Sequence, residues 1–141
     1  MAFAFPVLFR SRAPALDAAI SSDDGVAHAA PALPATWQCD LSDNSLQWSP
    51  GVFDLFGVKR GTRLDRREVA RMYIDDSRAL MERLRAAAIA NRAAFTMEAQ
   101  IRRADGALRW MRLSADVVCR GGRVTHLYGT KQDITAEWHI S

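Results

Sequence analysis

The 141 residues are 49% apolar and 25% charged, a balance that fits one folded domain and excludes both a largely disordered chain and two full cores. The longest apolar run, residues 1–9, is broken by Pro6 and falls short of the roughly 20 residues a bilayer span needs. Arg10 and Arg12 follow that run, where a secretory signal would put positive charge in front, so a cytoplasmic protein without membrane contact is expected.

The net charge of +3 is almost all arginine, since Lys59 and Lys131 are the only lysines. Arg60, Arg63, Arg66, Arg67 and Arg71 interleave with Asp65 and Glu68 and lack an aromatic platform. They read as a solvated helix face, and nucleic acid is not an expected partner. Cys39 and Cys119 have the spacing of neither a disulfide framework nor a zinc site, and both read as buried thiols; no metal is expected.

Residues 1–35 are rich in Ala and Pro, with a break at Asp23-Asp24-Gly25, and read as an extension. Pro14 can open a short helix in it, with Leu16 and Ile20 one turn apart on a face suited to docking or dimerisation.

Regular structure is expected over 36–138, leaving 139–141 as a tail. Trp37, Cys39 and Leu41 alternate with polar residues as a half-buried strand, Asp43-Asn44 supplies a turn, and residues 46–48 form the partner strand. Ser49 is placed as an N-cap, Pro50 suits the first helical position, and the helix carrying Val52, Phe53, Leu55 and Phe56 stops at Gly57. A second helical stretch is expected over 65–72. Asp75, Asp76 and Ser77 then offer caps for a longer helix whose apolar face is Leu80, Met81, Leu84, Ala87, Ala88 and Asn91.

The last third changes period from 3.6 to 2. Phe95, Met97, Ala99 and Ile101 share one face, Asp105-Gly106 turns the chain, and Met111, Leu113, Ala115 and Val117 share the next. Gly121-Gly122 makes a second turn, and a last strand is expected from Val124 to about Thr135. The pattern predicts an α+β fold, a five-stranded antiparallel sheet with helices on one face.

In order and spacing these motifs resemble a PAS domain with its C-terminal PAC segment, in single-domain form. Trp37-Gln38-Cys39-Asp40-Leu41, Trp48-Ser49-Pro50-Gly51 and Leu55-Phe56-Gly57 look like the opening strands and first helix. Residues 95–98, Arg102-Arg103-Ala104-Asp105-Gly106 and Arg109-Trp110 look like the PAC hairpin, and Gly129 through Asp133-Ile134-Thr135 like the closing strand. Relatives often carry His-Pro-Asp-Asp before the long helix; Tyr73-Ile74-Asp75-Asp76 stands in that place. Six residues follow Thr135, and the starting Met favours a complete single-domain protein with no effector of its own.

The resemblance implies a non-catalytic sensory module in signal transduction, of the kind found in bacterial two-component systems. A cavity is implied between the sheet and the long helix. The residues expected to line it are Trp37, Cys39, Phe53, Phe56, Leu80 and Leu84, with Ile101, Met111, Leu113 and Lys131 from the last three strands. Flavin-binding relatives need a Gly-x-Asn-Cys-Arg sequence and Asn or Gln side chains at the ring edge. Those strand positions fall on Ile101, Met111 and Lys131, so flavin is not expected. Haem would need an imidazole on or beside the long helix, and residues 77–91 hold none; His28, His126 and His139 lie elsewhere.

Lys131 shares strand parity with Leu127 and Gly129, the core face. Either its stem lies along the pocket with the ammonium at the rim, or it anchors a ligand. Cys39 is a redox candidate only with a depressed pKa. Two other readings stay open: an interaction module with a filled core, separated from a ligand sensor by whether a cavity of roughly 300 Å³ exists, and a small cone-fold enzyme such as an isomerase. The enzyme needs an inward carboxylate, which no assigned position supplies, and both tyrosines are placed away from the pocket, Tyr73 at a helix end and Tyr128 on the outer face. The expected partners are a second copy, through Leu16, Ile20 and the outer sheet residues Trp110, Val118 and Tyr128, and a histidine kinase or another PAS-containing protein. The exit for a signal is Asp133, Ile134 and Thr135.

Overall fold

The computed structural model describes residues 33–139, so the expected helix bearing Leu16 and Ile20 lies outside them. Period-2 patterning folds as expected into strands β1 (Ala35–Asp40) and β2 (Ser45–Trp48), then β3 (Phe95–Arg102), β4 (Leu108–Arg120) and β5 (Arg123–Asp133). All pairings are antiparallel in the order β2-β1-β5-β4-β3, which sets the first and last strands side by side in the middle of the sheet.

Three helices put their apolar faces on this sheet: α1 (Pro50–Phe56), α2 (Arg66–Arg71) and α3 (Asp75–Asn91). Gly57 closes α1 at φ 68°, a conformation that favours glycine. Arg103, from the β3–β4 turn, donates to the carbonyls of Asp54 and Leu55 at 2.6 and 3.1 Å, so the hairpin satisfies the end of α1. Ser49 does stand at the N-cap, but its hydroxyl accepts the Thr36 N–H at 3.0 Å and caps no helical N–H.

The start of α3 also departs from expectation. Ile74 is its N-cap, Asp75 and Asp76 lie inside the first turn where the helix dipole favours them, and the Ser77 hydroxyl accepts the Gln100 N–H at 2.8 Å. The buried line of α3 runs through Met81 and Ala88; Leu80 and Leu84 are half-buried, and Ala87 and Asn91 are exposed. The link before α3 pairs with the free edge of β3. Arg102 donates to the Met72 carbonyl at 2.8 Å, Ile74 to that of Gln100 at 2.9 Å, and Tyr73 bridges Ile101.

A register shift lies between Val118 and Cys119, where residue parity changes: Val124 joins the core, and Cys119, expected to be buried, is exposed. β5 stops at Asp133, two residues short of the expected end, because Thr135 begins a short helix, α4 (Thr135–His139). The Asp133 carboxylate accepts the Thr135 N–H at 2.9 Å and the Thr135 hydroxyl accepts the Trp110 N–H at 2.9 Å, tying α4 to β4. Among the described residues no helix is long and apolar enough to cross a membrane.

Candidate functional site

Lys131 pairs in register with Ala35 on β1 and Leu113 on β4, at the middle of the inward face. Its residue is 6% exposed, so the ammonium does not reach the rim. Four aromatic rings enclose Nζ, with centroids at 4.8 Å for Phe56, 5.5 Å for Trp37 and for Trp48, and 5.7 Å for Tyr73. Three elements and one link supply them: Trp37 and Trp48 are direct cross-strand partners on β1 and β2, Phe56 ends α1, and Tyr73 comes from the link before α3. A ring face attracts a cation, and this box is what the core offers in place of water.

Ring faces only partly replace hydration, because transfer of an ammonium from water costs several kcal/mol unless it is paired. The single hydrogen bond to Nζ runs to the Tyr73 hydroxyl at 3.3 Å. Burial brings the Lys131 pKa down to about 7 against an opposing pull from Cys39, with a smaller lowering from the charge of Arg66. Burial likewise raises the Tyr73 phenol and the Cys39 thiol, Cys39 in spite of the Arg85 guanidinium beside it. Cys39 therefore lacks the thiolate character a redox role requires.

A cavity of about 60 Å³ lies against this cluster. The expected residues that line it are Trp37, Cys39, Leu113 and Lys131. Phe53, Phe56, Ile101 and Met111 are buried in the surrounding core and do not line it; Phe53 packs edge-on against Trp48. From α3 the cavity receives Met81 and Arg85 in place of Leu80 and Leu84. One residue along a helix is about 100° of rotation, and the bonds that fix the start of α3 to β3 decide which neighbour faces in.

Sequence reasoning missed three lining residues that carry chemistry: Tyr73, Arg66 and Arg85. Tyr73 is 4% exposed and points under the sheet, contrary to its expected place at a helix end. Its bridge to Ile101 turns it there, and no periodicity announces a side chain in a link. Arg66 is ion-paired with Glu82, and Arg85 donates to the Asn44 side chain at 2.9 Å. No carboxylate lines the cavity, so Tyr73 lacks the acidic partner that the isomerase reading requires. Among the described residues no group of three or more His, Cys, Asp or Glu comes together as a metal site.

The volume is well below the 300 Å³ or more typical of drug-sized ligands and cofactors. Ile101 and Met111, fully buried at the strand positions in question, offer a flavin edge no hydrogen bond. The cavity shares Leu46, Arg66 and Arg85 with an open groove of about 1100 Å³, whose wall adds Arg63 and Arg67 against Asp43 and Asp65.

On the opposite face, Trp110 stacks on Trp138 of α4 with centroids 3.9 Å apart, and Tyr128 is buried. The outer side is therefore less open than the sequence implied.

Residues 45–131 match the family model described as the PAS fold. Among solved structures, the N-terminal domain of a diguanylate cyclase with PAS/PAC sensor from Marinobacter aquaeolei is similar at 18% identity and TM-score 0.70, covering 76% of this chain and 100% of that one. A sensory box histidine kinase/response regulator from Burkholderia thailandensis matches at 16% and 0.66, covering 75% and 80%. A light-oxygen-voltage protein from Rhodobacter sphaeroides matches at 16% and 0.59, covering 73% and 60%. No curated protein sequence matches.

Proposed function

The chain belongs to the PAS family, and from that premise we propose that it is a non-catalytic sensory module whose input is the cavity at Lys131 and whose output is the far end of the same strand. The observation that carries this reading is the spacing along β5. Lys131 faces the cavity two residues before Asp133, and Asp133, Ile134 and Thr135 fasten α4 to Trp110. A change of charge or occupancy at Lys131 acts on a strand whose next turn of chain is the exit. The outer face around Trp110 and Val118 then meets the receiver, a histidine kinase or another PAS-containing protein, or a second copy of the chain. The neighbours named as kinase and cyclase sensors support a signalling setting of this kind.

The small cavity favours a second reading, a pure interaction module with an essentially filled core. One experiment separates the two. Indole ¹⁵N–¹H spectra of wild type, Lys131→Met and Asp133→Ala are compared, with Trp110 and Trp138 assigned. The sensory reading expects Lys131→Met to shift both indoles. It expects Asp133→Ala, which loses a cap worth about 1 kcal/mol, to stay folded but to uncouple Trp138 from further changes at Lys131. Indole signals of Trp110 and Trp138 that are indifferent to Lys131→Met would leave only the interaction module.

A further inference from the structure

The polar groups around the cavity are unbalanced towards donors. As an ammonium, Lys131 has three N–H bonds and one hydrogen-bonded partner; Tyr73 accepts that bond, which leaves its own O–H to donate. Trp48 does not line the cavity; its ring centroid lies 5.5 Å from Nζ, and its buried Nε1–H has no hydrogen-bond partner, the only such side-chain atom among the described residues. Arg66 and Arg85 line the cavity itself, Arg66 offset by Glu82 and Arg85 bonded to the Asn44 amide and the Cys39 thiol, with no carboxylate partner in an ion pair among the described residues. Buried donors without acceptors are costly and rare in folded proteins, so the unused donors that Lys131 and Tyr73 bring to one cavity call for a ligand that only accepts.

A carboxylate is such a group. The volume admits about four or five heavy atoms, at roughly 10–15 Å³ for each. The remaining walls, including Val69, Ala70, Leu113 and Leu127, are apolar and suit a short alkyl end. The groove that shares Leu46, Arg66 and Arg85 with the cavity carries four arginines and two aspartates, a surplus of positive charge that attracts anions.

We propose that the cavity binds a small monocarboxylate of about two or three carbons, its carboxylate bonded to Lys131 Nζ and the Tyr73 hydroxyl, its alkyl end against Val69, Ala70 and Leu113. This rests on reading the cavity as the input site. Binding is coupled to protonation: the anion holds Lys131 as ammonium, so a proton is taken up from solvent wherever the free protein has a neutral amine. The titratable and charged groups packed around Nζ are Cys39 on β1, Arg66 on α2, Arg85 and Glu82 on α3, and Tyr73 on the link. Among Lys131, Cys39 and Tyr73, only Lys131 is shifted into the range between pH 6 and 8, since burial raises both the thiol and the phenol.

The test is titration calorimetry of the full chain with acetate and propionate, against propionamide, benzoate and inorganic phosphate, in two buffers of different ionisation enthalpy. Expected are one site per chain for acetate and propionate, and none for the neutral, the bulky or the inorganic probe. Proton uptake should approach one per site at pH 8 and be small at pH 6. Lys131→Met should weaken propionate binding about tenfold or more, with its fold checked by circular dichroism. Tyr73→Phe, a change that keeps shape, should weaken it less and leave the proton uptake. No binding of either carboxylate overturns the proposal, as does binding unchanged by Lys131→Met or without proton uptake at pH 8. If propionamide binds and the carboxylates do not, the ligand class is wrong while the cavity stands as an input. Failure of the input reading itself is seen separately, in the Trp110 and Trp138 indoles.

Discussion

Lys131→Met is expected to make the protein more stable, by about 2 kcal/mol at pH 7 and by roughly 8 °C or more in melting temperature. Methionine keeps nearly the same length in the box formed by Trp37, Trp48, Phe56 and Tyr73 and removes the charge whose burial brings the amine to about 7. The shift from an ordinary lysine sets an upper bound of about 4 kcal/mol at that pH. Ring attraction to the cation and the loss of the Tyr73 hydrogen bond reduce the gain.

The pH dependence has a fixed sign. The folded pKa lies below the unfolded one, so between about pH 7 and 10.5 the unfolded chain binds more protons and the Lys131 contribution to stability rises with pH. The advantage of methionine is therefore largest below pH 7 and shrinks by about 2 kcal/mol between pH 6 and 8.5, at roughly 1.4 kcal/mol per unit. Taking the difference between wild type and variant cancels the raised Cys39 and Tyr73, which titrate in both. Equilibrium urea unfolding across that range checks it. A variant less stable than wild type at pH 6 would mean that the ammonium is well compensated.

Gly129→Ala is expected to cost about 4 kcal/mol or more, enough to prevent folding at working temperature. A Cβ at Gly129 would stand 1.9 Å from the Ser114 carbonyl oxygen and 3.1 Å from the Ala115 Cα, both backbone atoms that yield only if β4 and β5 separate. The space is already used. Gly129 lies between its register partners Trp37 on β1 and Ala115 on β4, and the Trp37 indole reaches across β5 to donate to the Ser114 carbonyl at 3.2 Å. The glycine therefore lets a cage ring be anchored from the far strand. Gly61→Ala is the control: nothing lies within 4 Å, so only its φ of 84° is strained, at about 1 kcal/mol. Alanine variants of equal stability at the two positions would sink this account of the close approach.

Much of the fold was legible because its sheet obeys period 2. The inward sets on β1, β3 and β4 follow from alternation alone, and the parity of Lys131 was readable for the same reason. What became of its ammonium was not, since the rings that enclose it come from three elements and a link that no local pattern relates. Tyr73 was illegible because a link has no period; its direction comes from pairing with β3. Arg85 was hidden by rotation of α3, where the lipophilic stripe suggested Leu80 and Leu84 and the fold turned Met81 and Arg85 inward. The end of β5 was overrun because Asp133-Ile134-Thr135 reads equally as strand or as a helix start. The choice is made by hydrogen bonds to Trp110 on another strand.

The charge state of Lys131 underlies the stability effect, the proton uptake and the link to the exit, and it can be observed directly. With ¹³C-labelled lysine, the chain gives two side-chain Cε signals, Lys59 and Lys131, assigned by the Lys131→Met variant. The buried cage predicts a Lys131 midpoint near pH 7, well below that of an ordinary lysine. A Cε signal for Lys131 that titrates close to pH 10, as an ordinary lysine does, would contradict it.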